Sequence, residues 1–594
     1  MPVTLRGIPA TSGIAIGGCM LYDPTPPSIS KDTISPDAVA AEKERLQQAI
    51  QASIEEVTVL RDQVQAKLGK EEAAIFDAHL LMFEDEALLD SANQHIENDL
   101  MNAEWAMWEA AEEFSQLLSQ LEDTYFQGRA ADIQDIRARI INHLQGRSTA
   151  ELRYMTEPAI IVARDLLPSD TAGLDVALVL GLVTEQGGPT SHTAILSRQM
   201  GIPAVVGVQG VLDAARRLDE VSSQLVLNGA TGEVVLDPDV ETIQRYETAL
   251  EAYRQKQHEL QSLRSLPATT PDGITIELSA NIGRSGDAPP ALDAGANGVG
   301  LFRTEFLFFD RESPPSEEEQ LAAYSSVLKT FAGKNVIVRT LDIGGDKSIP
   351  YLDLPKENNP FLGLRGIRLC LAKEYQPLFR TQVRALLLAA QTSPASLWIM
   401  FPMVCDLREL RQAKAFLRET EEMLLQEGKL GAPVMPKLSI GIMLETPASV
   451  WLIDQLAQEA NFFSIGTNDL AQYTLASDRM NASLSELHRP FHPAVMRSLA
   501  HIVLTARKQQ RWVGMCGEMA GDPRAAAFLL GLGINELSME AKSLNAVKQV
   551  IRTTPLVHAQ QLVERVLVAE SSLAIEEILT ADRAPTFIVS PPVY

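Results

Sequence analysis

The chain has 594 residues, 46% of them hydrophobic, and carries a formal net charge of −26. Such a length exceeds one core, so three or so domains are expected. The charge argues against nucleic acid, whose phosphates a binder must neutralise, and against anionic membrane surfaces.

The four cysteines, Cys19, Cys370, Cys405 and Cys516, show neither disulfide nor metal-ligand spacing. That fits free thiols in a reducing cytoplasm. No signal-peptide pattern opens the chain and no apolar run approaches a membrane span, so a cytoplasmic protein is expected. The first stretch, GIPATSGIAIGGCMLYD, reads as strands. Between Thr33 and Gly146 about 23 Asp and Glu then stand against about 8 Lys and Arg, a deficit of roughly 15. This segment is helical in pattern. Ser35 and Pro36 supply a cap and a first-turn proline, and Leu46, Ile50, Ile54, Val57, Leu60, Val64 and Leu68 recur at steps of three and four until Gly69. Further helical patterns lie at EEAAIFDAHLLMFEDEALLDSA, NAEWAMWEAAEEFSQLLSQL and AADIQDIRARIINHL. The acidity suits both a solvated surface and a docking face for a basic partner.

From about Tyr154 strands return, at AIIVARDL, VALVLGLVTE, AVVGV and QLVLNGATGEVVLDP. They match the opening stretch in character. The expected first half is thus an α/β domain (1–32 and 147–238) with the helical segment (33–146) inserted into it. A long helix marked by Ile243, Tyr246, Leu250, Tyr253 and Leu260, with the following PATTPDG, reads as a linker or hinge over 239–273. Eight strand-like runs follow: TIELSANI, NGVGLFRTE, NVIVRTLDIGG, LWIMFPMV, LSIGIMLET, FFSIGTND, WVGMCGEM and INELSM. Their spacing leaves room for a helix after each, the signature of a TIM (β/α)8 barrel, placed at 274–580 with a tail at 581–594.

Polar residues collect at the C-terminal ends of these runs: Asn281, Arg303, Arg339, Glu445, Asn468, Asp469 and Cys516. A TIM barrel draws its catalytic groups from that end. Arginines converging there suit phosphate or carboxylate, and hard carboxylate oxygens beside a phosphate favour Mg²⁺. A structural ring of ion pairs is the plainer alternative. Cys516 could donate or take a proton.

The stretch GGPTSHTAIL poses the remaining question. Two glycines allow a tight turn, Thr190 or Ser191 can cap the helix TAILSRQM, and His192 falls in or beside the first turn. The helix dipole there lowers an imidazole pKa and stabilises a phosphate formed on it. His192 therefore reads as a nucleophile, with a satisfied surface histidine as the alternative.

Taken in order, GGPTSHTAILSRQMGIPAVVG, GVGLFRTEFLF, RTLDIGGDK, NPFLGLRGIR, IMFPMV, GIMLETP, FFSIGTNDLAQYTLASDR and MCGEMAGDP resemble the motifs of enzyme I of the bacterial phosphotransferase system, the phosphoenolpyruvate–protein phosphotransferases. EEAAIFDAHLLMFED and GRAADIQDIRARI resemble that family's helical docking subdomain. The resemblance covers nearly the whole chain. It implies that His192 is phosphorylated on Nε2, that Arg303, Arg339 and Arg479 bind phosphoenolpyruvate with Asn468 and Asp469, and that Glu445 and Asp469 hold Mg²⁺. It further implies that Cys516 protonates the enolate, that Lys347 and Arg365 lie in matching motifs, that the small carrier protein HPr docks on the helical subdomain, and that the barrel forms a homodimer. Pro189 departs from the pattern, which often has a basic residue there. A dikinase or a phosphoenolpyruvate synthase would need a nucleotide-binding domain of a few hundred residues, for which no room is expected. A non-catalytic phosphoenolpyruvate sensor is the rival from another class. With no sensory domain expected, general sugar transport is favoured over nitrogen regulation.

Overall fold

The computed structural model describes residues 2–582 apart from 23–28, 68–69, 84, 120–123, 147–151, 153–154, 156, 167–169, 171–173, 189–190, 219–223, 310, 346–348, 350, 353, 356, 480, 482–483, 485–486 and 488. Gly69, Pro189, Thr190, Lys347 and nearly all of the expected tail lie outside that set. The chain divides into two compact units, one up to Gln255 and one from Lys256.

The first unit is built on an eight-stranded sheet: β1 (Val3–Arg6), β2 (Ile8–Thr11), β3 (Ile14–Tyr22), β4 (Ala159–Ala163), β5 (Val179–Thr184), β6 (Ala204–Val206), β7 (Gln224–Asn228) and β8 (Glu233–Leu236). The spatial order is β1-β8-β7-β3-β4-β5-β6-β2. Strands β3 to β6 run parallel, with Cys19 opposite Ile160 and Val162 opposite Val183. Both faces of this centre are covered, which is why Ile160, Ile161 and Val162 form a continuous apolar run rather than an alternation.

The chain leaves the sheet after β3 and rejoins it at β4, directly alongside. The segment between is therefore an insertion, and its main described elements are helices: α1 (Val39–Lys67), α2 (Lys70–Phe83), α3 (Glu86–Asn98), α4 (Ala103–Ser119) and α5 (Thr124–Leu144). Its own core gathers Leu46, Val57, Leu60, Phe83, Met107 and Ile140. The stretch 71–92 reads as one helical pattern but forms two helices. Asp85 breaks it, because its carboxylate accepts the free Ala87 and Leu88 N–H groups at 2.9 and 3.1 Å and caps α3.

The second unit is a closed barrel of eight parallel strands: β9 (Glu277–Ile282), β10 (Val299–Arg303), β11 (Asn335–Arg339), β12 (Ser396–Phe401), β13 (Ser439–Leu444), β14 (Phe462–Ile465), β15 (Trp512–Met515) and β16 (Glu536–Met539). Seven fall within the strand-like runs and β12 begins one residue before its run, at Ser396; β16 closes on β9 through Glu536 opposite Glu277. Outward residues such as Val299, Val338 and Ile399 pack under the surrounding helices. Inward residues fill the barrel, with Trp398 against Phe462 at 4.8 Å and against Trp512 at 5.0 Å.

Helix α7 (Val240–Ser262) spans the division between the units. The segment after it, read above as part of a linker, is fastened to the barrel. Ala268 is buried, Arg552 donates to the Pro267 carbonyl at 2.8 Å, and Leu556 N–H donates to Asp272 at 2.9 Å. Among the described residues no helix is long and apolar enough to cross a membrane.

Candidate active site

Arg303 and Arg339 are the last residues of β10 and β11 and stand opposite each other in register. Both therefore reach the C-terminal mouth of the barrel. Arg339 is 5% exposed and donates to Glu305 at 2.6 Å and Asp342 at 3.0 Å. Burial opposes its charge, but Glu305, Asp342 and Glu445 outweigh burial and hold it above the ordinary arginine range. Arg303 lies over the Phe306 ring at 4.8 Å.

Arg365, which the resemblance placed only in a matching motif, is as central as Arg339. It is 1% exposed, donates to Asp342 and Asp469 at 3.3 Å, and donates to the Tyr473 hydroxyl at 3.0 Å. Arg479 reaches the other oxygen of Asp469 at 3.3 Å. Asp469 thus joins two arginines from the first turn of α8 (Thr467–Leu475), where the helix dipole favours a carboxylate. Asn468 beside it turns to Glu518, donating at 2.9 Å and accepting the Glu518 N–H at 3.2 Å. The Nε–H groups of Arg303, Arg339 and Arg365 are buried with no hydrogen-bond partner among the described residues. Buried guanidinium donors left open in this way are what an anionic ligand would use.

Glu445 follows β13 and is 1% exposed. Its Oε1 accepts the Met403 N–H at 2.6 Å, while Oε2 is buried without a partner among the described residues. Met403 holds φ at +60°, a left-handed conformation uncommon for a side-chain-bearing residue, and that local strain accompanies its N–H bond to the carboxylate. Burial, and then the like charges of Asp469 and Asp342, push the Glu445 carboxyl up. A cation would reverse that push. Glu445 and Asp469 are hard oxygen donors, and no group of three acidic, histidine or cysteine side chains among the described residues forms a metal cage. Two carboxylates with substrate oxygens suit Mg²⁺, so the residues present fit it.

Cys516 directly follows β15 and is 5% exposed. Its Sγ accepts from Ser464 Oγ at 3.3 Å. Burial pushes the thiol up to about 12, with Ser464 and Arg339 opposing, so it holds its proton. Glu305, Asp342 and Tyr473, which pair with Arg339 and Arg365, escaped sequence reasoning because they are scattered over more than 160 positions and only the barrel brings them together.

In the first unit His192 is the first residue of α6 (His192–Met200), and its side chain lies outside the described set. Ser191, not Thr190, is the described cap, with its hydroxyl accepting the Ala194 N–H at 3.4 Å. Gly187 takes φ +102°, and a Cβ there would stand 3.0 Å from Ser191 Oγ, so the tight entry requires glycine. Gly201, left-handed at φ 67°, closes the helix.

A (β/α)8 barrel with arginines and carboxylates at its mouth, joined in one chain to a domain presenting a histidine at a helix start, defines a class. The sequence families described as "PEP-utilising enzyme, PEP-binding domain", "PEP-utilising enzyme, N-terminal" and "PEP-utilising enzyme, mobile domain" match residues 257–556, 6–129 and 155–232. The chain belongs to the phosphoenolpyruvate-protein phosphotransferase family of these enzymes. It is 44% identical over 564 residues to the phosphoenolpyruvate-protein phosphotransferase of Geobacillus stearothermophilus, covering 95% of each chain. It is 44% identical over 553 residues to that of Staphylococcus epidermidis, covering 93% of this chain and 94% of the other. The Bacillus subtilis protein is 43% identical over 563 residues, with 95% and 96% covered.

Proposed function

We propose that the chain transfers the phosphoryl group of phosphoenolpyruvate to its own His192, releases pyruvate, and passes the phosphate to a histidine of the carrier HPr, the first step of sugar uptake by the phosphotransferase system. The observation that carries this reading is the set of buried, open guanidinium donors of Arg303, Arg339 and Arg365 beside the open oxygen of Glu445.

Arg303, Arg339 and Arg479 grip the phosphate and carboxylate of the substrate, and Arg365 orients Asp469. Glu445 and Asp469 would hold Mg²⁺, which when bound supplies charge neutralisation for the phosphoryl group. Asn468 adds a polar contact. His192 attacks in line, and the buried arginines stabilise charge without reorganising. Cys516 gives its proton to the enolate carbon, which commits the product to pyruvate. The His192-bearing domain then turns toward HPr docked on the acidic helices. Since residues 267–273 are fastened to the barrel, helix α7 is the natural pivot within 239–273. We place the protein in the cytoplasm as a homodimer joined through the barrel.

Incubation with phosphoenolpyruvate, Mg²⁺ and HPr tests this reading. Pyruvate should form in step with phosphorylated HPr. Binding of phosphoenolpyruvate with no pyruvate formed would instead support a sensor.

A further inference from the structure

The interior of the barrel is apolar along β11 to β14, where Ile337, Met400, Met443 and Phe462 meet. It is polar along β16 and β9. There Glu536 is 2% exposed, hydrogen-bonds with Ser279, and keeps Oε2 buried without a partner among the described residues. Two glycines make room for it. A Cβ at Gly300 would fall 2.4 Å from Glu536 Oε1, and one at Gly514 would fall 2.5 Å from Oε2.

Gly514 stands two residues before Cys516, on the same face of its strand. At a rise of about 3.3 Å per residue, the carboxyl lies one layer, roughly 7 Å, beneath the thiol. Polar groups span that layer. Ser538 Oγ adjoins the same Gly300 position at 2.5 Å and donates to Asn281 Oδ1 at 2.7 Å, and Asn281 donates to the Cys516 carbonyl at 3.0 Å. The charged groups bearing on this pair are Glu277 on β9 for Glu536, and Arg339 and Glu445 for Cys516.

We infer that Glu536 is the proton reservoir that restores Cys516 after each turnover. This rests on the reading of Cys516 as the acid. Once the thiol has protonated the enolate, a buried thiolate remains. The O–H bond of the Glu536 carboxyl breaks and the S–H bond of Cys516 forms, the proton crossing the layer from the Ser279 or Ser538 hydroxyl to Sγ through an intervening water. The carboxylate left on Glu536 regains a proton from solvent through the exposed Glu277 at the opposite end of the barrel. Burial pushes the Glu536 carboxyl up to about 8 and the thiol to about 12, so the transfer runs downhill.

The test separates the first turnover from later ones. With enzyme in excess over labelled phosphoenolpyruvate, E536Q should form pyruvate at the parent rate, because Cys516 begins protonated. With excess phosphoenolpyruvate, Mg²⁺ and HPr, its steady rate should fall about tenfold or more, giving a burst. E536D, which keeps an acid, should recover much of that rate. Equal slowing of both phases in E536Q would mean a structural role, and an unchanged steady rate would mean none. Either result overturns the relay. An unimpaired first turnover in C516A would remove Cys516 as the acid, a failure the E536Q phases do not produce.

Discussion

A carboxyl that folding forces to keep its proton makes the stability of the barrel depend on pH. Glu536 is pushed from its ordinary 4.5 up to about 8, chiefly by burial. Its contribution to stability is full below about pH 4.5 and is lost as pH rises through about 8, because the unfolded chain can ionise the group and the folded barrel resists doing so. At 1.36 kcal/mol per pKa unit, the loss is about 3 kcal/mol at pH 7 and about 5 kcal/mol above pH 9. E536Q keeps the shape and removes the ionisation. It should match the parent near pH 4.5 and exceed it by about 3 kcal/mol at pH 7. Urea unfolding of the full chain at pH 5, 7 and 9, followed by tryptophan fluorescence, measures this, since Trp398 and Trp512 line the barrel interior. A constant difference between the two proteins across that range would refute the reasoning, because it would place the carboxyl in contact with water or a cation.

E445Q keeps an acceptor for the Met403 N–H but removes a charge beside Asp469 and Asp342, so it should stabilise the metal-free barrel at pH 8 by about 1 kcal/mol or more while abolishing Mg²⁺-dependent transfer, as denaturation and a pyruvate assay would show. R339K retains a charge but cannot bridge Glu305 and Asp342, and should weaken phosphoenolpyruvate binding by about tenfold or more in calorimetry. Transfer to HPr should slow between low and high salt, and should slow on reversing the exposed acidic residues Glu44, Glu55 and Asp90, with His192 labelling less affected. Equal slowing of both steps would make the acidic face a solvated surface only.

Much of this fold was legible because its signals are local. A buried parallel strand must be a short apolar run, so all eight barrel strands could be read off, as could the polar residues that end them. The helical insertion was legible because its charge and period differ from the flanking strands. What escaped were long-range consequences. The break at Asp85 depends on one carboxylate choosing backbone donors over solvent within a continuous helical pattern. Residues 267–273 carry every mark of a loose linker, yet Arg552 and Leu556, some 280 positions away, fasten them. Glu536 was visible only as one polar letter in INELSM. Its importance comes from Gly300 and Gly514, which lie on two other strands and leave space for it.

The central claim is that phosphate leaves the barrel on His192. Its most direct measurement is exposure to labelled phosphoenolpyruvate and Mg²⁺, followed by mapping of the labelled peptide. An acid-labile, base-stable phosphate on the peptide bearing His192 is expected, absent from H192A although that variant still binds phosphoenolpyruvate. Label on another residue, or undiminished label in H192A, would contradict it.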